Sequence, residues 1–226
     1  MRLFRWRCRS ATPSRSLDTA GRDPATPVVQ DELIQLLAGR RGHFQMESGY
    51  HSEQWFRLDS LFEDESRLQP FVIELARRLA VHRVKAVCGP ATGGAKLARM
   101  IAGELGLPGF FTERFERPEA GDLFPVGYAL PADQIEQVQG LDIAIVDDAI
   151  SAGSAVRGTY AELVDCRARP VALGALFVFG TAAAEFAGKH GLALEGIVPM
   201  SFAMWLPATC PLCRAGVPLE KVSDTA

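Results

Sequence analysis

The stretch that decides the fold is Ile143–Ala155, which reads IAIVDDAISAGSA. An apolar strand runs directly into two adjacent carboxylates, Asp147 and Asp148, and a loop of small residues follows before a predicted helix. Small residues let backbone N–H groups close around phosphate oxygens, and a helix N-terminus adds a favourable dipole. Paired carboxylates can bind ribose hydroxyls or hold the Mg²⁺ that those hydroxyls contact. The stretch therefore predicts a site for a phosphorylated sugar.

Two other interpretations of this stretch are open. The first is a buried strand followed by an N-capped helix, with both aspartates merely solvated. A cap needs only one side chain, so two aspartates beside a Ser-Ala-Gly-Ser turn exceed what capping requires. The second is a general acid/base pair, but neighbours on a strand point to opposite faces of the sheet. We favour the sugar-phosphate interpretation over both.

The composition of the 226-residue chain is that of a globular protein with one α/β domain. Hydrophobic residues make up 48% and charged residues 23%, and the net charge of −3 offers no basic field for nucleic acid. No apolar run approaches the roughly 20 residues that a membrane-spanning helix needs. Five cysteines are an odd number, and three of them are scattered, so we expect a reduced, cytoplasmic protein.

The first 28 residues differ from the rest of the chain. They are rich in arginine, serine, threonine and proline, and they contain no apolar segment long enough for a secretory signal. An organellar transit peptide or an upstream start would also fit this composition. We expect a disordered leader without a targeting role.

Past the leader, helical and strand patterns alternate. We predict a helix from Val29 that stops at Gly39, a lid of short strands over 42–62, and then helices over 66–81, 93–105, 153–167 and 181–189, with strands over 84–88, 109–112, 142–147, 171–179 and 193–198. Such alternation implies a parallel sheet whose ligands bind at the carboxyl ends of the strands. Two loops of small residues, 89–94 and 149–155, fall at such ends.

The loop 89–94, GPATGG, must first be compared with a nucleotide-binding Walker A loop. Lys96 comes one residue too late for that motif, and Leu97 cannot ligate Mg²⁺. An ATPase is therefore a poor interpretation. A plain turn between a strand and a helix remains the alternative to a phosphate loop.

The stretch 143–155 resembles the diphosphoribosyl-binding signature of the type I phosphoribosyltransferases. Other segments resemble the orotate branch of that family: the hood segment 42–52, the pyrophosphate loop 89–94, the start of a mobile loop at 112–114 and a tail over 210–219. The resemblance implies an α/β fold of the type I phosphoribosyltransferase kind, in which helices flank a central, mostly parallel sheet beside a small N-terminal hood. It covers a single domain over 29–220, with the hood at about 42–62, the core at about 63–205 and a tail at 221–226.

The resemblance also implies a reaction, its ligands and the residues that serve them. Ribose 5-phosphate would pass from 5-phosphoribosyl 1-diphosphate to a pyrimidine base, orotate, with Mg²⁺ as cofactor, in a homodimer. Asp147 and Asp148 would serve the ribose, and Arg114 would bind pyrophosphate. Phe56, beside Trp55, either stacks on the base or only packs under the lid. The remaining substrate-binding residues are Ala91, Thr92, Gly93, Ala149, Ile150, Ser151, Ala152, Gly153, Ser154 and Ala155.

Three features depart from the orotate pattern. Orotate enzymes carry lysines on the mobile loop, but here no lysine lies between Arg114 and Leu141. Glu47 stands where a base-contacting lysine is common, and Gly180-Thr181 occupies a region where many relatives have an arginine. Two alternatives therefore stay open: a non-catalytic sensor of phosphoribosyl diphosphate or a nucleotide, and a transferase for another base.

The pair Cys210 and Cys213 has the spacing of metal ligands. A structural zinc site needs four ligands, however, and none of the four histidines has paired spacing. From the sequence we therefore expect no zinc site at this pair.

Overall fold

The structure is a computed structural model that describes residues 27–116 and 126–222. The predicted leader lies outside the described residues except for its last two, which begin the first helix. The part of the candidate mobile loop that contains Arg117, and residues 223–226 of the predicted tail, also lie outside them.

The described elements follow one another in an order close to the predicted alternation. They are α1 (Pro27–Ile34), β1 (Ala38–Gln45), β2 (His51–Arg57), a 3₁₀ helix (Leu58–Phe62), α2 (Glu65–Ala80), β3 (Ala86–Pro90), α3 (Gly93–Leu105), β4 (Gly109–Glu116), β5 (Val126–Ala129), β6 (Asp142–Ile150), α4 (Ser154–Asp165), β7 (Arg169–Phe179), α5 (Ala182–His190), β8 (Ala193–Met200), β9 (Met204–Trp205), a second 3₁₀ helix (Pro207–Thr209), α6 (Pro211–Arg214) and β10 (Glu220–Lys221).

Six strands form the central sheet, in the order β5-β4-β3-β6-β7-β8. All neighbours are parallel except β5, which pairs antiparallel with β4. The predicted α/β fold with a mostly parallel, helix-flanked sheet is confirmed. Because parallel strands point the same way, β3 and β6 bring their carboxyl ends, and the loops that follow them, to one edge.

Apolar side chains pack on both faces of this sheet. One cluster, which includes Leu75 and Leu97, joins α2 and α3 to the sheet, and a second, which includes Leu163 and Phe186, joins α4 and α5 to the other face. Strand β7 lies between them, and its residues from Ala172 to Phe179 are all buried. That double burial explains why β7 is apolar almost without interruption.

A second sheet of four strands, in the order β10-β1-β2-β9, forms the hood. Its centre is the hairpin of β1 and β2, whose turn requires a positive φ of 83° at Gly49. Two-residue strands from the far end of the chain complete it: β10 pairs parallel with β1, and β9 pairs antiparallel with β2. The hood predicted at 42–62 is therefore incomplete, because it also contains residues beyond 203.

The pair Cys210 and Cys213, which stands alone in the sequence, has further potential metal ligands beside it in the structure. Closure of the hood brings these cysteines to His43 and His51, and the four potential ligand atoms lie within 4.8 Å of one another. Spacing along the chain could not predict this cluster, because its members come from opposite ends of the described residues.

Three predicted boundaries differ from the structure. Helix α1 ends at Ile34, and Gly39 lies inside β1 instead of stopping a helix. Strand β4 continues past Thr112 to Glu116, so Arg114 lies within it and pairs with Tyr128 of β5. Strand β6 runs to Ile150, which makes both aspartates strand residues.

Among the described helices, none has an apolar stretch of the length that a bilayer crossing demands.

Candidate active site

An open cleft of about 1200 Å³, solvent at its mouth included, lies between the hood and the edge of the central sheet. The hood contributes Met46–Ser48, Trp55–Arg57 and the start of the following 3₁₀ helix. The sheet contributes residues 90–93, at the end of β3 and just after it, and residues from 147 to 155 around the end of β6. The two predicted phosphate loops therefore face the same cleft.

Asp147 and Asp148 lie at the bottom of the cleft and are only 8% and 6% exposed. Both carboxylates abut the backbone of the pyrophosphate-loop region. A Cβ atom at Gly93 would lie 1.8 Å from Oδ2 of Asp148, and one at Gly94 would lie 2.8 Å from Oδ1 of Asp147. Glycine is required at both positions because any side chain would displace a carboxylate.

The aspartates make the cleft strongly attractive to a cation. Burial raises the pKa of the Asp147 carboxyl well above its ordinary value, and the charges of Asp148 and Glu47 raise it further. Burial is the larger cause because it disfavours the charged form of the carboxyl, and the neighbouring negative charges act in the same direction. Oxygen donors of this kind are the ligands that Mg²⁺ prefers, so the residues present fit that ion.

The loop after β6 places only some of its predicted residues in the cleft. Ala149, Ser151, Ser154 and Ala155 line it. Ile150, Ala152 and Gly153 do not; the side chain of Ile150 packs in the core cluster that includes Leu163 and Phe186, and it is 1% exposed. The structure therefore does not bring these three predicted residues to the cleft.

Two helices begin at the cleft without a capping side chain. Thr92 precedes α3 and Gly153 precedes α4, and neither gives a side-chain hydrogen bond to its helix. By contrast, the Asp64 side chain accepts hydrogen bonds from Ser66 N and Arg67 N at the start of α2. The first N–H groups of α3 and α4 therefore have no side-chain cap beside the cleft, as anion binding requires.

Arg114, the predicted pyrophosphate ligand, does not line the cleft in this conformation. Its Nε lies 3.3 Å from Oε2 of Glu47, which does line the cleft. The Tyr128 hydroxyl donates to Oε1 of the same carboxylate at 2.8 Å, and Ser154 Oγ donates to it at 3.4 Å. Burial and the charge of Glu47 together raise the pKa of Tyr128, so its hydroxyl remains a donor. Glu47 thus occupies a position that an anionic substrate would have to approach.

Aromatic rings form the wall of the cleft under the hood. Phe56 stacks on Phe179 with a centroid distance of 5.4 Å and an angle of 4°, and Phe202 meets the Phe56 ring edge-on at 5.8 Å. All three, together with Trp55, line the cleft. Phe56 therefore packs under the hood and also faces the space where a flat base would lie.

Sequence reasoning missed several residues of the cleft. Arg57 and Asp59 line its rim, where Arg57 pairs with Glu63 at 3.0 Å and Asp59 pairs with Lys96 at 3.2 Å. The hydroxyl of Ser48 is buried in the cleft wall and has no hydrogen-bond partner. A buried hydroxyl of this kind is costly unless a ligand satisfies it. The one sequence feature that could have identified Ser48 as a cleft residue was its place in the hood segment.

Comparison with known proteins agrees with this geometry. No family model matches the chain. Orotate phosphoribosyltransferase of Thermotoga maritima is 29% identical over 195 residues, which cover 86% of this chain and 96% of that protein. The crystal structure of orotate phosphoribosyltransferase from Aeropyrum pernix has a TM-score of 0.55 and 23% identity, and the match covers 76% of this chain and 93% of that chain. An adenine phosphoribosyltransferase from Rhodothermus marinus has a TM-score of 0.56 at 14% identity, over 76% of this chain and 99% of that one.

The adenine enzyme shares the fold, so the fold does not identify the base. The sequence match to the orotate enzyme extends over almost all of that protein. The predicted resemblance is therefore confirmed: this chain has the type I phosphoribosyltransferase fold and is similar to the orotate phosphoribosyltransferases over nearly their whole length.

Proposed function

We propose that this chain transfers ribose 5-phosphate from 5-phosphoribosyl 1-diphosphate to a ring nitrogen of orotate and releases pyrophosphate. One observation carries the reaction class: a single cleft contains a buried aspartate pair and the uncapped N-termini of α3 and α4. The similarity to proteins named orotate phosphoribosyltransferase supports orotate as the acceptor.

The substrate would lie across the edge of the central sheet. The loop 151–155 and the first turn of α4 would bind the 5-phosphate, and residues 91–93 with the first turn of α3 would bind pyrophosphate. Asp147 and Asp148 would orient the ribose between them. Catalysis then needs positioning and charge neutralisation and no covalent intermediate, because the sugar passes through an oxocarbenium-like state.

We assign the Mg²⁺ interaction to Asp147 and Asp148, whose paired oxygens fit the ion and whose buried charges it would offset. When bound, Mg²⁺ supplies positive charge that stabilises the departing pyrophosphate. The backbone around Gly93 and Gly94 keeps both carboxylates at the bottom of the cleft, since it packs directly against them.

The base would lie under the hood, against the ring of Phe56. Ser48 would donate its unpartnered hydroxyl to an acceptor on the base, which would remove the penalty of burying that group alone. Aromatic stacking and one hydrogen bond orient a flat ring without fixing its identity. The neighbouring Glu47 carboxylate, which Arg114, Tyr128 and Ser154 contact, would repel the carboxylate of orotate, so neutral bases belong in the test of the acceptor.

Arg114 must change partners if it is to contact pyrophosphate. Its guanidinium is held by Glu47 in this conformation, through a pair whose side chains are 42% and 20% exposed. A pair so accessible to solvent is weak, and the several negative charges of pyrophosphate compete with it effectively. We infer that substrate binding draws Arg114 from Glu47 towards the cleft.

A pyrophosphate-release assay with orotate, uracil, adenine and other bases tests the proposal. Turnover should be fastest with orotate, and Asp147→Asn should lower kcat by about 10²-fold because an oriented charge is lost. The matched control is Asp165→Asn, an exposed position at the end of α4, which should retain activity.

The release assay, together with calorimetry, also tests the sensor and the transferase for another base, the two alternatives that the comparisons do not favour. Tight calorimetric binding of phosphoribosyl diphosphate without turnover of any base would establish a sensor instead of an enzyme. Turnover of a neutral base in preference to orotate would keep the reaction and reject the acceptor.

We also propose that the protein is a cytoplasmic homodimer. Dimers that share an active site are expected from the resemblance, and the scattered cysteines fit a reducing compartment. Light scattering on the purified chain tests the oligomer, and cell fractionation tests the compartment. A monomer at micromolar concentration that is fully active would contradict the shared site.

A further inference from the structure

Four potential metal ligands converge in the hood, away from the active-site cleft. His43 lies on β1 and His51 begins β2, while Cys210 precedes α6 and Cys213 lies within it. None of the four lines the cleft. Three of them are at least 96% buried, and Cys213 is exposed on one side.

The distances within the cluster match a tetrahedral zinc site. His43 Nε2 lies 3.1 Å from His51 Nδ1, 3.4 Å from Cys210 Sγ and 3.7 Å from Cys213 Sγ, and the last sulfur lies 3.2 Å from His51 Nδ1. A tetrahedron with Zn–N bonds of about 2.0 Å and Zn–S bonds of about 2.3 Å has edges of roughly 3.3–3.8 Å. Four of the six edges therefore lie close to this range, and the other two, from Cys210 to Cys213 and to His51, are no longer than 4.8 Å.

A hydrogen bond outside the cluster fixes the ring of His43. Its Nδ1 lies 2.8 Å from the carbonyl oxygen of Val217, which can only accept, so Nδ1 carries the proton. Nε2 is then the unprotonated nitrogen, and it points at the other three ligand atoms. Metal-binding histidines commonly donate their second nitrogen to a backbone carbonyl in this way.

We propose that His43, His51, Cys210 and Cys213 bind one structural Zn²⁺ ion. Two thiolates and two neutral imidazoles balance the charge of Zn²⁺, and four protein ligands leave no open position for a substrate or water. Without a metal, the same atoms form a buried group of polar side chains in which two histidines face each other at 3.1 Å. The Cys₂His₂ ligand set selects zinc over Mg²⁺, which prefers oxygen.

The ion would join chain segments that are far apart in sequence. Cys210 and His43 are separated by 167 positions, and the ion would tie α6 to the hairpin of β1 and β2. The strands β9 and β10 have only two residues each, too few to hold the tail by themselves. The turn between the two histidine ligands carries Glu47 and Ser48, so the ion would also position two side chains of the cleft.

Metal analysis of the full-length protein, purified without chelators under reducing conditions, tests the proposal. We expect about one zinc per chain, and Cys210→Ser and Cys213→Ser should each lower the zinc content at least about tenfold. Cys166→Ser is the matched control, since Cys166 is partly buried but lies in none of the cluster contacts, and it should keep its zinc.

A second measurement uses the unaltered protein, so that misfolding of a variant cannot decide the outcome. Replacement of zinc by Co²⁺ should produce the visible absorption of a tetrahedral site together with a thiolate-to-cobalt charge-transfer band. Protein that contains no zinc and takes up neither zinc nor Co²⁺ after reduction would overturn the proposal. So would a Cys210–Cys213 disulfide in protein prepared with zinc and reductant, or iron in place of zinc.

Discussion

The central sheet and the hood are held together in different ways. The central sheet has six strands, is covered on both faces and buries side chains such as Leu176 and Ile145 completely. The hood has four strands, two of them with two residues each, and its interior includes the polar side chains of His43, His51 and Ser52. Apolar burial stabilises the first, whereas the second depends on few contacts and on the cluster that we assign to zinc. The cleft thus lies between a central sheet with an extensive apolar core and a hood that contains more polar side chains.

The largest effect is expected from a cavity in the apolar core of the central sheet. Leu176→Ala should lower the free energy of unfolding by about 3 kcal/mol, because Leu176 is fully buried and its loss leaves a cavity. Urea unfolding followed by circular dichroism measures this change. Ile73→Ala on α2, where the side chain is 48% exposed, is the control and should change stability by under about 1 kcal/mol. Equal losses at the two positions would contradict the contrast in packing.

The next largest effect is expected at Gly93, which packs against the Asp148 carboxylate in the cleft. Gly93→Ala should lower kcat/KM by about 10²-fold, because the added Cβ would displace the Asp148 carboxylate. Gly103→Ala on the same helix meets no atom within 4 Å and should leave the kinetics unchanged. Steady-state kinetics on the two variants makes the comparison. Full activity of Gly93→Ala would show that the position of Asp148 does not matter for turnover.

Removal of zinc should disturb the hood and leave the central sheet unchanged. After a chelator has removed the zinc and excess Mg²⁺ has been restored, the KM for orotate should be higher by about tenfold, which corresponds to about 1.4 kcal/mol, because Ser48 loses its support. Trp55 and Trp205 both lie in the hood, so their fluorescence, in a Trp6→Phe background, should change while the circular dichroism stays constant.

Thiol labelling at pH 8 tests independently whether the hood opens while the core around Cys88 stays closed. Burial raises the pKa of Cys88 on β3 to about 12, so its reactive thiolate form is scarce until the pH rises well above 8. Chelation should release the thiols of Cys210 and Cys213 from the metal, so that both react with the reagent, and leave Cys88 unlabelled. Simultaneous labelling of all three would mean that the core opens with the hood, and the contrast between them would fail.

The smallest effect concerns the ion pair of Glu47 and Arg114, which joins the hood to the central sheet. Glu47→Gln should raise the affinity for pyrophosphate about threefold, because it removes a negative charge from the cleft and releases Arg114 from a weak pair. Glu113→Gln, an exposed position on β4, makes the same change of charge and should have no effect. Calorimetric titration with pyrophosphate compares them. Weaker binding by Glu47→Gln would assign a positioning role to the carboxylate.

The sequence predicted the central sheet and its helices far better than the hood. Helices α2 and α3 and strand β7 have long periodic or continuous apolar patterns, and their predicted bounds fall within a few residues of the structure. Strand β5 and the two-residue strands of the tail are too short to show a period. The cluster of His43 with Cys210 arises only when distant segments pair, and Glu47 meets Arg114 for the same reason. Local patterns contain no information on such contacts.

The parallel pairing of β1 with β10 has a consequence for biosynthesis. All strands of the central sheet are complete once Met200 has been made, but the hood needs residues as late as Lys221. Since a chain leaves the ribosome from its N-terminus, the β1–β2 hairpin emerges before either of the strands that pair with its edges. The hood is therefore completed after the central sheet, when the segment with β9 and β10 pairs with a hairpin that was synthesised long before it.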